Sequence, residues 1–205
     1  MEIILENIGR RFNQDWIFKG IDYQFIRNKS YAILGANGSG KSTLLQVIVS
    51  SLSPSKGHIT YQYEQKEIEV DNFFSYVSLA APYLELIEEF TLTELIDFHF
   101  SFKKITAGLD TKGIIDLLEL QQSADKEIRY FSSGMKQRTK LALACCADTP
   151  ALFLDEPTSN LDTKGIAWYH KLVQRFGANK LLVICSNQLH EYEFCNFQLQ
   201  IEAYK

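Results

Sequence analysis

The sequence has little of what marks a membrane-embedded, secreted or polyanion-binding chain. None of its 205 residues lies in a run approaching 18 uninterrupted apolar positions, so no membrane-spanning helix is expected. The opening residues Met1-Glu2-Ile3-Ile4-Leu5-Glu6 are acidic rather than basic, and no secretory leader is expected there. Charge of one sign is also scarce. A formal net charge of −4 supplies no field for holding nucleic acid or an anionic membrane surface, and no nucleic-acid partner is expected. The four cysteines (Cys145, Cys146, Cys185, Cys195) form no C-x-x-C pair and have no histidine at metal-ligand spacing. In the apolar runs Leu141–Ala147 and Leu181–Cys185 a thiol acts as a small hydrophobe, which reads as reduced core cysteine. Repeats, low-complexity tracts and linker-like stretches are absent as well. That leaves one domain, with room for an inserted subdomain.

What the sequence does have is Gly35-Ala36-Asn37-Gly38-Ser39-Gly40-Lys41-Ser42-Thr43. This matches the phosphate-loop pattern G-x-x-x-x-G-K-[ST] at every fixed position. It follows the apolar strand-like run Tyr31-Ala32-Ile33-Leu34 and precedes a helical pattern carrying Leu44, Leu45, Val47, Ile48 and Leu52. A glycine-rich turn lets backbone N–H groups converge on phosphate oxygens, and a helix N-terminus behind it favours negative charge. Asn37, Gly38, Ser39, Gly40, Lys41, Ser42 and Thr43 are therefore candidate nucleotide contacts. Lys41 would reach the β- and γ-phosphates, and Ser42 would place its hydroxyl on Mg²⁺.

Around this motif strands alternate with helices. Ile3, Leu5 and Ile8, then Ile17, Ile21, Tyr23 and Phe25, predict strands. The turn Ser53-Pro54-Ser55-Lys56-Gly57 leads to a strand at His58–Tyr63, and another is expected at about Phe73–Leu79. Residues from about 83 to 128 read as helical. Thr91-x-x-Glu94 predicts a capping box opening a helix through Phe102, and Asp110 opens a helix carrying Ile114, Leu117, Leu118 and Leu120. Strands return at Ala151–Leu154 and Leu181–Ser186, with a helix around Ile166–Phe176. The pattern predicts an α/β fold. It combines a phosphate-loop core on a mostly parallel sheet, an N-terminal antiparallel β part and an inserted helical subdomain. The expected division is 1–82 and 129–205 for the core and about 83–128 for the insertion.

Ala151-Leu152-Phe153-Leu154-Asp155-Glu156 is an apolar strand ending in two carboxylates. At the carboxyl edge of a parallel sheet, Asp155 can hold Mg²⁺ and Glu156 can polarise an attacking water. The continuation Pro157-Thr158-Ser159-Asn160-Leu161-Asp162 makes the pair specific. The whole stretch resembles the Walker B and D-loop segment of ATP-binding cassette (ABC) ATPases. Upstream, Phe131-Ser132-Ser133-Gly134-Met135-Lys136-Gln137-Arg138 is similar to their signature motif, and order and spacing match across essentially the whole chain.

The resemblance implies ATP and Mg²⁺ as cofactors, and hydrolysis coupled to transport. It implies a second ABC subunit, a homodimer being expected, in which Ser132 and Gly134 meet the γ-phosphate held by the opposite copy and Asp162 links the two sites. It also implies a separate integral membrane permease, hence a cytoplasmic protein held peripherally at the membrane's inner face. Tyr83–Phe90 would lie near the docking groove, or form a solvated helix face. Phe12 would occupy the position that stacks on adenine, with core packing as its alternative and Trp16 as its neighbour in competition.

Two polar groups of the family pattern are missing. No glutamine occurs between Gln65 and Gln121, where the strand before the helical part should end in one. In Leu182-Val183-Ile184-Cys185-Ser186-Asn187-Gln188, Asn187 replaces the switch histidine. Its amide can donate a hydrogen bond to a γ-phosphate but cannot become cationic or relay a proton. His190 stands three residues on as a substitute, and Ser133 replaces a usual glycine. Competent ATP binding and slow hydrolysis, with Glu156, Lys41 and Asn187 as catalytic candidates, are the expectation. Two alternatives remain: a degenerate binding-only subunit paired with a complete partner, and a soluble regulator of ABC type.

Overall fold

The computed structural model describes residues 1–205. Two sheets form it. Strands β1 (Glu2–Phe12), β2 (Asp15–Ile26), β4 (Lys56–Tyr63) and β5 (Lys66–Glu67) make an antiparallel sheet in the order β2-β1-β4-β5. The other sheet has β3 (Ser30–Leu34), β6 (Val77–Ala80), β7 (Ala151–Asp155), β8 (Leu181–Ser186) and β9 (Phe197–Gln200), in the order β6-β7-β8-β3-β9. Every pairing in this second sheet is parallel. Both β7 and β8 are buried along their whole length. That is the burial expected of strands covered on both faces, and it explains their unbroken apolar runs.

Alternate residues of these strands serve two different cores. Ile33, Phe153, Leu181 and Val183 pack with the antiparallel sheet and helix α1 (Lys41–Ile48). Leu152, Leu154, Leu182 and Ile184 face the other way. They pack with α2 (Leu92–Phe102), α3 (Thr111–Leu118), α4 (Ser133–Cys146) and α5 (Thr163–Gly177). A last short helix, α6 (Leu189–Tyr192), follows β8.

Most helix starts are set by local chemistry. Thr91 and Glu94 form a complete capping box at α2, and Asp110 caps α3 by accepting from Gly113 N at 2.7 Å. Helix α3 ends at Leu118 because Glu119 turns into the left-handed region (φ 58°), so Leu120 falls outside it.

Two expectations are corrected. Phe73–Tyr76 is not strand but part of a 3₁₀ turn over Val70–Tyr76, and the strand begins only at Val77. Phe73 is fully buried and stacks on Tyr61 (ring centroids 3.8 Å), so its burial comes from a wedge against β4 rather than from sheet alternation. Tyr83–Phe90 is irregular rather than helical. Its carbonyls are taken by a distant segment: Ile128 N donates to Phe90 O at 2.9 Å and Arg129 N to Glu88 O at 3.0 Å.

The register brings the chemistry to one edge. Leu34 pairs with Ser186 and Asp155 with Cys185, so the segments following β3, β7 and β8 emerge side by side at the carboxyl ends of the parallel strands.

Candidate functional site

The phosphate loop spans the end of β3 and the start of α1. Gly38 (φ 76°) and Gly40 (φ 102°) take left-handed conformations that side chains resist. Gly40 is also sterically required, since a Cβ there would stand 2.4 Å from the Ile17 side chain. The β1–β2 hairpin thus presses directly on the loop. Lys41 is only 4% exposed, and its ammonium donates to Gly35 O at 2.9 Å and Ala36 O at 3.1 Å. A three-donor cation held by neutral carbonyls can exchange them for phosphate oxygens at little cost.

Asp155 is 1% exposed, and its Oδ1 has no hydrogen-bond partner. Burial pushes its carboxyl up to about 6; the Ser42 hydroxyl opposes that rise, Glu156 adds to it and Lys41 opposes it. A buried carboxylate oxygen without a donor, beside a serine hydroxyl, suits a hard divalent cation with oxygen ligands. Glu156, half-buried, adopts φ 43°, and its N–H donates to Cys185 O at 2.9 Å. A non-glycine residue held left-handed costs free energy that the surrounding structure must overcome.

Asn187, just beyond β8, donates its amide to Asn37 Oδ1 at 2.8 Å. The residue at the switch position is thereby tied to the phosphate loop. His190 sits elsewhere, with Nε2 at 3.0 Å from Thr158 Oγ1 in the segment after Glu156. Glu191, fully buried, accepts from Thr158 N at 2.7 Å.

Phe12 is 47% and Trp16 38% exposed, so neither is core. The Arg10 guanidinium lies 4.7 Å from the Phe12 ring centroid and the Arg11 guanidinium 5.6 Å from the Trp16 ring centroid. In the β1–β2 register Phe12 pairs with Asp15 and Arg11 with Trp16, so the two rings occupy opposite faces of the hairpin.

Ser132 caps α4 by accepting from Met135 N at 3.2 Å, and Asp162 caps α5 by accepting from Gly165 N at 2.8 Å. The Ser132 hydroxyl still has its own proton to donate outward. Gln137 Nε2 donates to Pro157 O at 2.8 Å, joining α4 to the segment behind Glu156. An open cleft of about 710 Å³ is lined by Ser132, Ser133, Gly134, Asn160, Asp162 and Lys164 among others. No phosphate-loop residue, nor Asp155 or Glu156, lines it. Arg138, Lys164 and Lys171 line this cleft together with the carboxylates of Glu119 and Asp162.

One polar group at the edge was not anticipated. Tyr83 is 42% exposed overall, yet partial burial, chiefly, and then the Asp155 charge push its phenol up to about 12. The strand pairing Ala80↔Leu154 leads Tyr83 out beside Asp155. Pro82-Tyr83 directly after an apolar strand was the available signal.

Residues 18–159, more than half of the chain, match the family model described as ABC transporter. The chain belongs to the ABC transporter family. An uncharacterised ABC transporter ATP-binding protein of Bacillus subtilis is 28% identical over 197 residues, covering 95% of this chain and 90% of that one. A Nod factor export ATP-binding protein of Burkholderia lata is 28% identical over 196 residues, 93% of this chain. This chain spans 64% of that relative's length. Among solved structures, a putative ABC transporter ATP-binding protein from Pyrococcus furiosus superposes with a TM-score of 0.83 at 18% identity, covering 100% of both chains. A dimeric bacterial ABC transporter cassette superposes with a TM-score of 0.80 at 20% identity, over 97% of this chain and 94% of the other. These two superpositions establish the ABC ATPase fold: a parallel sheet, an antiparallel sheet and flanking helices.

Proposed function

We propose that this ABC protein binds ATP with Mg²⁺, hydrolyses it slowly as one half of a homodimer, and drives a separate membrane permease. The observation that carries the reading is the triad of the buried Lys41 ammonium, the Ser42 hydroxyl and the partnerless Asp155 oxygen at one sheet edge. The amides from Asn37 to Thr43 and the Lys41 ammonium cradle the phosphates, and Phe12 offers its exposed ring to adenine. Ser42 and Asp155 would hold Mg²⁺, which would supply charge neutralisation for the phosphates. Glu156 orients the attacking water and draws on its proton. Asn187 donates one amide hydrogen toward the γ-phosphate while its contact with Asn37 holds it in place.

Signature residues Ser132 and Gly134 of a second copy close the site, with Asp162 between the two nucleotides. Their separation from the phosphate loop within one chain supports this reading, as does the dimeric solved relative. No helix is long and apolar enough to cross a membrane. The relative named for Nod factor export supports a role in export, and on this reading the chain sits peripherally on the cytoplasmic side beside a permease. The 83–128 segment offers the docking face: Ile87, Phe98 and Phe102 are exposed around a groove that also holds His99, whose imidazole burial lowers to about 4.

Purified protein is expected to turn over ATP slowly, to stop when Mg²⁺ is chelated, and to co-purify with a co-expressed permease. ATP binding without turnover, alone and with the permease, would instead favour the binding-only subunit. The absent glutamine and Asn187 are the observations on that side.

Tyr83 supplies a hydroxyl near Asp155 in the region where the family glutamine is missing. Tyr83→Phe is expected to lower kcat about tenfold with ATP affinity held within about twofold. Unchanged kcat would remove Tyr83 from the reaction.

A further inference from the structure

The phosphate loop is gripped from a side that its motif does not include. Beyond β9, a 3₁₀ turn over Ile201–Tyr204 lies across it. Ile201 is fully buried, and its side chain would lie 2.7 Å from a Cβ on Gly35 and 3.5 Å from one on Gly40. Glu202 Oε1 accepts from Ala36 N at 2.7 Å. Three residues further along the loop, Ser39 O accepts from Lys205 Nζ at 2.7 Å. Gly35 permits this approach, because a Cβ there would stand 2.7 Å from Glu202 Oε1 and 2.5 Å from Ser39 Oγ.

We infer that Glu202 and Lys205 are positioning residues that hold the phosphate loop in its nucleotide-receiving shape. The inference rests on the nucleotide reading above. A loop whose function is to aim backbone N–H groups gains affinity when its conformation is set before the ligand arrives. Glu202 fixes the peptide entering the loop, and Lys205 fixes the carbonyl before Gly40, at the opposite shoulder. The Ala36 N–H holds the Glu202 carboxyl below its ordinary range, with smaller help from Lys41 and Lys205. A carboxylate so near a triphosphate site would by charge alone repel the ligand, and the Lys205 ammonium offsets that charge. The two contacts therefore work as a pair, one accepting and one donating, with little net field at the loop.

Glutamine at position 202 keeps an oxygen that can accept from Ala36 N; alanine does not. Binding of a fluorescent ATP analogue with Mg²⁺ separates shape from charge. Glu202→Ala is expected to raise Kd about five- to tenfold, Lys205→Ala about two- to threefold, and Glu202→Gln less than twofold. Once ATP is saturating, kcat should stay within about twofold of wild type for all three, because the contacts act on the loop before binding. Thermal unfolding of the nucleotide-free variants, expected within about 3 °C of wild type, separates loop positioning from loss of fold. Wild-type affinity in Glu202→Ala overturns the inference. So does tighter binding in both Glu202 variants, which would make the carboxylate a charge barrier, and so does a Glu202→Gln as weak as Glu202→Ala. A wild-type protein that binds no ATP overturns the nucleotide reading itself, a result distinct from any of these.

Discussion

Glu156→Gln is expected to cut steady-state ATP hydrolysis by about 10²–10³-fold while leaving ATP affinity within about twofold. The substitution is nearly isosteric and keeps an acceptor for orienting water, but an amide cannot draw off a proton. Its backbone demand is unchanged, since both residues must adopt the φ of 43° seen here. The loss therefore reports on chemistry and not on the fold. Phosphate release in single-turnover and steady-state assays is the measurement. Equal turnover in wild type and variant would remove Glu156 from the catalytic role, and Asp155 or Tyr83 would be next to test.

Asp155→Asn is expected to produce opposite effects on stability and on function. The folded-state carboxyl stands at about 6 against an ordinary 3.8, chiefly through burial. Without a cation the folded chain holds that proton more tightly than the unfolded chain. The corresponding stabilisation is complete below about pH 4 and is lost as pH rises through about 6. At pH 8 the buried charge costs about 2–3 kcal/mol. Asparagine carries no such charge. The metal-free variant should unfold about 4–10 °C above wild type at pH 8 and within about 2 °C of it at about pH 3.5. Function should fall in the same variant: the Mg²⁺-dependent part of ATP affinity disappears with the carboxylate. In the wild type that Mg²⁺ dependence should fade as pH is lowered through about 6. A variant destabilised equally at both pH values would show that Asp155 acts through packing and hydrogen bonds rather than charge.

What could be read from the residues was what depends on near neighbours in the chain. The phosphate loop between β3 and α1, the Thr91–Glu94 capping box and the Asp110 cap are each closed within a few positions, and each is found where the sequence places it. Buried strands β7 and β8 were equally plain, because unbroken apolar runs have few other uses. Features that depend on distant partners were not. Tyr83–Phe90 has a helix-like composition, yet its backbone is satisfied by residues some forty positions on. Phe73 looks like a strand residue because Tyr61 buries it. Asn187 reads as a defect in a motif, and only the fold brings its amide to Asn37, 150 positions away. Glu202 and Lys205 belong to no motif at all, and their contacts with Ala36 and Ser39 each span 166 positions.

In the proposed dimer the phosphate loop is half of a site, completed by the signature helix of a second copy. The most direct test is the solution mass of Glu156→Gln with ATP and Mg²⁺, measured with and without Ser133→Glu. Ser133 is exposed at the first turn of α4, where an acidic residue suits the helix N-terminus, so the added variant should fold. The same charge would face the γ-phosphate of the opposite copy and repel it. A dimer is expected for Glu156→Gln in ATP and Mg²⁺, and a monomer that still binds ATP once Ser133→Glu is added. A monomer in both cases, or a dimer indifferent to Ser133→Glu, would contradict a site shared between two copies.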